Sequence, residues 1–378
     1  MGAGSLQRQR VKESCRKFRE EASVRHERIM RFWNGEDIGR NPVSIVPFQW
    51  SPRQIYDNPD LMLAHMARYI ERGLSLPGDF IPTFWPDQGT VALASVFGGK
   101  VLAEGSQGSH RWITPVLSSW DDVDSLDPPA EPISGLVKTE FDLCRLFYEA
   151  SGECWWVTPP DMQGPVNMAC LLMDSSEFLI GLYTEPERAR KLLRLCADMI
   201  IGVVNAYRRE FGDALQLVTW PHIWLPPGRG VTITQDSIPT LSPALYEEFE
   251  VPLVKEIADR FGGIYIHCCG QFEHVLPSLA GFRNLMGVDH AYPESHAERI
   301  LAALGTGITI TSSVTTLGEE EFPTRDRYLE YLLPRLPEGA RLWTILADDQ
   351  PESVVRALDL LGLAEMRDRY TPEPSGSI

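Results

Sequence analysis

Ile264-Tyr265-Ile266-His267-Cys268-Cys269-Gly270 is an apolar, β-prone run that ends abruptly in a histidine, two cysteines and a glycine. Side chains alternate faces along a strand, so His267 and Cys269 project to one side and Cys268 to the other. An imidazole and a thiol two residues apart, on one face at a strand's end, form a compact half-site for zinc. The plainer alternative is a buried strand whose cysteines act as small hydrophobes.

The same unit recurs along the chain: a short apolar run, a polar or Gly/Pro-rich break, then a longer helical pattern. Eight runs are read this way. They are Pro42 to Gln49, Asp79 to Trp85, Cys154 to Pro159, Leu215 to Trp220, Gly263 to Cys268, Leu285 to Asp289, Gly307 to Ser312 and Leu342 to Ala347. Helices are expected between them, among others over Pro186 to Phe211, Pro243 to Phe261 and Pro351 to Leu361. Glu187 near the start of the first and Arg208-Arg209 near its end suit the helix dipole. Eight strands alternating with helices predict an α/β fold of the (β/α)8 TIM-barrel type. A doubly wound open sheet competes, but no Gly-rich dinucleotide fingerprint follows the first strand. Polar residues also collect at the C-terminal ends of the runs, where barrel enzymes assemble their sites. Residues 1–40 read as an N-terminal helical extension and 41–378 as one barrel domain, with an insertion after the second strand between Trp85 and Cys154.

Composition narrows the function classes. The 378 residues are 43% hydrophobic and 23% charged, ordinary for a globular chain. A net charge of −17 without a basic block argues against a nucleic-acid partner, and the expected partner is a small-molecule substrate. No apolar run is long enough to span a bilayer, so no membrane partner is expected. The basic, polar start from Met1 to Arg19 lacks a secretory core, and seven scattered cysteines do not suggest a disulfide framework. A cytoplasmic protein is the expectation.

In a barrel, the strand ends would face one cavity. They offer Gln49 and Trp50, Trp85 and Asp87, Asp161 and Gln163, and Trp220 and His222. The later ends offer His267 and Cys269, Asp289 and His290, Ser312 and Ser313, and Asp348 and Asp349. A catalytic zinc takes three protein ligands and keeps one position open. His267 and Cys269 supply two, with Asp348 or Asp349 the candidate third. Asp289, His290 and His222 are candidate catalytic groups, and each also sits where it could reach a metal. Trp50, Trp85 and Trp220, with Trp155 or Trp156 and Trp224, suggest an aromatic rim for a flat cofactor or an alkylated cation, against the alternative of core packing. The loop Pro226-Pro227-Gly228-Arg229-Gly230 reads as a lid whose Arg229 would meet a substrate carboxylate.

The chain resembles the uroporphyrinogen decarboxylase superfamily, which includes zinc methyltransferases serving corrinoid proteins and coenzyme M. Four passages carry the likeness. Phe97-Gly98-Gly99 precedes a strand at Trp112-Ile113-Thr114-Pro115, and Gly164-Pro165-Val166-Asn167 looks like the family's Gly-Pro turn into a helix. Asp236, followed by Ser242-Pro243-Ala244-Leu245-Tyr246 and Phe249, resembles its Asp…Ser-Pro-x-x-Tyr-x-x-Phe signature. His267-Cys268-Cys269-Gly270 falls where the family has His-x-Cys-Gly. The resemblance implies the barrel fold, a zinc cofactor at His267 and Cys269, a binding role for Asp236, and a corrinoid methyl carrier or corrinoid-protein partner. Two departures bear on activity. The arginine-rich loop of the porphyrin decarboxylases is replaced by Gln49-Trp50-Ser51-Pro52-Arg53, and no cysteine stands near Ala347-Asp348-Asp349, where the methyltransferases place a third ligand. The expected activity is a zinc-dependent methyltransferase. Alternatives are a metal-free decarboxylase and a barrel that binds a small molecule without turning it over.

Overall fold

The computed structural model describes residues 3–47, 55, 58–104, 110–217, 223–226, 228–315 and 317–372. Gln49, Trp50, Trp220 and His222 lie outside the described residues. The chain folds as the expected α/β barrel. Strand β1 (Val43–Val46) pairs in parallel with the last strand, β9 (Thr344–Ala347), which closes the two ends of the chain on each other. The hairpin of β2 (Val101–Glu104) and β3 (His110–Ile113) stands apart in the insertion after the second barrel segment. From there β4 (Val231–Thr234), β5 (Ile264–Cys268), β6 (Leu285–Tyr292), β7 (Thr309–Val314) and β8 (Arg341–Leu342) form one parallel ladder in sequence order. Single parallel bridges, Phe84 to Val157, Val157 to Leu215 and Gln163 to Thr234, mark the remaining wall.

One strand adds to those expected. The segment that pairs with β5 is Val231–Thr234, which lies outside the eight expected runs. Leu215 bridges Val157, and the Leu217 carbonyl accepts the Thr232 N–H at 3.1 Å, so residues 215–217 are wedged between the third barrel segment and β4. The run Val-Thr-Ile-Thr is β-branched and fully buried, and the Pro-Pro-Gly before it masks it as loop.

The β5–β6 ladder carries one irregularity. Ile264 pairs with Leu285, but Tyr265 pairs with Gly287, leaving Met286 as an extra residue. Beyond it the register runs straight across three strands: His267 faces Asp289, and Asp289 faces Thr311. In the layer below, the Tyr265 hydroxyl donates to the Val288 carbonyl at 3.1 Å and lies 3.0 Å from Thr311 Oγ1. Its ring crosses β6 at Gly287, where a Cβ would overlap the ring and the Thr309 carbonyl.

Helix Pro186–Phe211 has the expected bounds, with proline in its first turn and Arg208 and Arg209 in its last. The expected helix from Pro243 to Phe261 is interrupted. A π turn occupies Tyr246–Glu250, with the Val251 N–H bonded to the Tyr246 carbonyl five residues back. Pro252 follows, with no N–H to continue a regular ladder.

The N-terminal helix Ala3–Trp33 packs along helix Pro59–Ser75. Val11, Cys15, Ala22, Ile29 and Phe32 recur at helical spacing and are buried. On the same face Arg25, 3% exposed, donates to the carbonyls of Gly73, Leu74, Leu76 and Phe80 at 2.7–3.1 Å. It thereby satisfies three carbonyls at that helix's C-terminal end and one, from Phe80, in the segment that follows. Among the described residues, no helix is long and apolar enough to cross a membrane.

Candidate metal centre

The parallel strands β4, β5 and β6 run to one rim, and residues near their C-terminal ends build the site. His267 is the last residue but one of β5, and Cys269 follows two residues on. Asp236 lies just beyond β4. One ligand atom from each of Asp236, His267 and Cys269 lies within 4.8 Å of the others. The Cys269 thiol donates to Asp236 Oδ1 at 3.2 Å, and the Cys269 N–H donates to the same oxygen at 3.0 Å. His267 Nε2 stands 3.7 Å from it. The imidazole is buried, while Cys269 and Asp236 are open to solvent, so the group has a dry base and an accessible side.

The other ring nitrogen of His267 is committed. Nδ1 meets Asp289 Oδ2 at 2.5 Å, and the Thr311 hydroxyl donates to Asp289 Oδ1 at 2.5 Å. A carboxylate on the far nitrogen fixes a ring's tautomer and raises its basicity, as in metal sites generally. Burial works against protonation of His267. The bonds with Asp289 and Cys269 and the charge of Asp236 outweigh it and raise its pKa to about 10. This corner of the barrel therefore favours a cation, and a histidine, a thiol and a carboxylate are a donor set that fits zinc.

The structure brings some expected residues together and separates others. Asp289 is present, but as the group that orients His267. Asp236, expected to bind substrate or cofactor, is the third member of the ligand group. Asp348 is not in it: Arg72 holds its carboxylate through two bonds at 2.7 and 2.8 Å, and the Tyr370 hydroxyl adds a third at 2.8 Å. Its side chain thus turns outward to helix Pro59–Ser75. Asp349 is exposed and also outside the group. His290 faces away from the barrel interior because it follows Asp289 on a strand. It is fully buried, its Nδ1 lies 3.2 Å from the Ser295 carbonyl, and burial lowers its pKa to about 4. A neutral core imidazole on that face takes no part in the rim.

Arg229 is also misplaced by the sequence reading. It precedes β4, and its loop packs against Gly262 just ahead of β5, at the opposite end of the barrel from the site. Among the described tryptophans of the expected rim, Trp155, Trp156 and Trp224 belong to the core. Trp155 donates to the Pro82 carbonyl at 2.9 Å, and Trp156 and Trp224 pack edge to face with ring centres 5.0 Å apart. Trp85 and Asp87 are half-buried at the end of the second barrel segment.

Asp161 is a stronger member of the rim than sequence suggested. Thr234 donates to one of its oxygens at 3.0 Å and Gln163 to the other at 2.7 Å. Burial and the neighbouring Asp87 carboxylate still push its pKa up to about 6. Thr311 and Tyr265 were missed, although both follow from alternation relative to His267 and Asp289 once the register is known.

The family model for uroporphyrinogen decarboxylase (URO-D) matches residues 25–317. A solved methyltransferase from Methanosarcina mazei superposes with a TM-score of 0.62, covering 90% of this chain and 97% of its own. At 17% sequence identity that likeness is one of fold. No curated protein matches the chain in sequence. The family match spans the barrel from the N-terminal helix to just past β7, including every residue of the ligand group, and the chain belongs to the uroporphyrinogen decarboxylase (URO-D) family.

Proposed function

We propose that this chain is a zinc-dependent methyltransferase of its family, passing a methyl group from a corrinoid or a methylated small molecule to a thiol. The observation that carries the reading is the ligand group: Asp236, His267 and Cys269 within 4.8 Å at the barrel rim, with Asp289 holding His267. His267 through Nε2, Cys269 through its sulfur and Asp236 through its carboxylate would hold the metal. Zinc bound there would lower the pKa of a thiol and keep it as a thiolate at neutral pH. The accessible side formed by Cys269 and Asp236 admits the acceptor. Asp161, with a pKa of about 6, is a base of suitable strength for the proton that the thiol gives up. The family relationship and the methyltransferase fold likeness support the same reading.

Purified protein is expected to carry about one zinc per chain. The metal should be lost in His267→Ala, Cys269→Ala and Asp236→Ala, and held roughly 10- to 100-fold more weakly in Asp289→Ala. Metal-free protein whose activity ignores chelators would overturn the proposal. It would favour a decarboxylase, for which Asp161 beside the Asp87 carboxylate, raised to about 6, supplies a proton-transfer group.

A further inference from the structure

Both chain neighbours of Asp236 are pinned from within the protein. Gln235 is 1% exposed, and its backbone N–H donates to the His267 carbonyl at 2.8 Å. Its side-chain amide donates to Glu250 Oε1 at 2.8 Å and accepts the Tyr246 hydroxyl at 3.0 Å. Glu250, equally buried, accepts the Val166 N–H on its other oxygen at 3.1 Å, at the start of helix Pro165–Leu172. Gly164 makes that approach feasible, since a Cβ there would sit 2.9 Å from Glu250 Oε1. On the far side of Asp236, the Ser237 N–H donates to Asn167 Oδ1 at 2.9 Å. Asn167 in turn donates to Gln163 Oε1 at 2.9 Å.

Tyr246 and Glu250 are the first and last residues of the π turn, so one irregular turn delivers both contacts to Gln235. Such turns concentrate at functional sites. A buried amide, carboxyl and phenol cost more to desolvate than apolar side chains of equal volume would. Satisfied as they are here, they hold the backbone at one position, and that position aims the next side chain.

We propose that Gln235, Glu250 and Tyr246 are positioning residues that hold the Asp236 carboxylate in its group with His267 and Cys269. The proposal rests on reading that group as a metal centre, and it also has a metal-free consequence, because Asp236 Oδ1 accepts both the N–H and the thiol of Cys269.

The test compares wild type with Tyr246→Phe, which removes one hydroxyl, and Glu250→Gln, which is read in the same way if the first variant does not fold. Three measurements are made: Co(II) affinity by chelator competition, the Co(II) absorption spectrum, and the alkylation rate of Cys269 by iodoacetamide in metal-free protein, resolved by mass. Folded variants are expected to hold Co(II) about 10- to 100-fold more weakly, with a shifted spectrum. Their Cys269 alkylation rate should change several-fold. Variants that melt earlier, yet keep wild-type affinity, spectrum and alkylation rate, would overturn the positioning role. If wild type takes up no Co(II), the metal reading fails, and alkylation alone decides: a changed rate supports positioning, an unchanged rate removes it.

Discussion

The two halves of this barrel wall are built in different ways. From β4 to β8 the backbone supplies a continuous ladder, and the inner face between β5 and β7 is polar: Tyr265, His267, Asp289 and Thr311. Across the second and third segments, the described residues meet through single bridges, and large side chains hold the wall instead. Trp155 reaches the Pro82 carbonyl, Trp156 packs on Trp224, and Arg19 of the N-terminal helix lies 4.5 Å over the Trp156 ring. Where backbone hydrogen bonds carry the architecture, side chains are released for chemistry. Where they do not, aromatic bulk and a long helix take over.

Breaking each half separately sharpens the contrast. Gly287→Val places a branched side chain where the Tyr265 ring crosses β6, against the Thr309 carbonyl. We expect a loss of more than about 4 kcal/mol or failure to fold, measured by urea denaturation. In the other half, Arg25→Leu strands four carbonyls that now share one guanidinium. The expected cost is about 3 kcal/mol, with the first losses in the contact between the two helices, visible by hydrogen exchange.

The polar half should also respond to pH through Glu250. Burial raises Glu250 from the ordinary carboxyl range to about 7, against its bonds from Gln235 and Val166. An acid with a raised folded-state pKa contributes stability that is complete below its unfolded value and is lost as pH rises through the folded one. Between about pH 4.5 and pH 7.5, wild type should therefore lose roughly 3 kcal/mol relative to Glu250→Gln. Parallel denaturation curves at pH 5 and pH 8 measure this. A constant difference between the two proteins would show that Glu250 does not titrate in that range.

The same division explains what was legible in the sequence. The repeat of strands and helices, the bounds of helix Pro186–Phe211 and the choice of Cys269 over Cys268 follow from local periodicity, which is a property of the chain itself. Alternation could also have excluded His290 once Asp289 was placed inward. Asp348 shows the opposite case. Its position at a strand end was read correctly, but Arg72 turns its side chain, and the two are 276 residues apart. The proximity of Asp236 to Cys269 likewise depends on how β4 sits beside β5, and the Pro-Pro-Gly before β4 hid that strand. Trp155, Trp156 and Trp224 misled because strand ends and core positions look alike until the covering helix is known.

Met286, the unpaired residue in β6, has a consequence of another kind. Counted one to one from the Ile264–Leu285 pair, Val288 would stand opposite His267 and Asp289 opposite Cys268. One extra residue moves the acid into line with the imidazole. The companion of His267 is therefore encoded by chain length as much as by residue identity. A relative with a one-residue insertion or deletion beside Gly287 could keep every letter of the motif and still present an aliphatic group to the histidine. Among such relatives, the spacing between this segment and Asp289 is a better guide to a working centre than the motif alone.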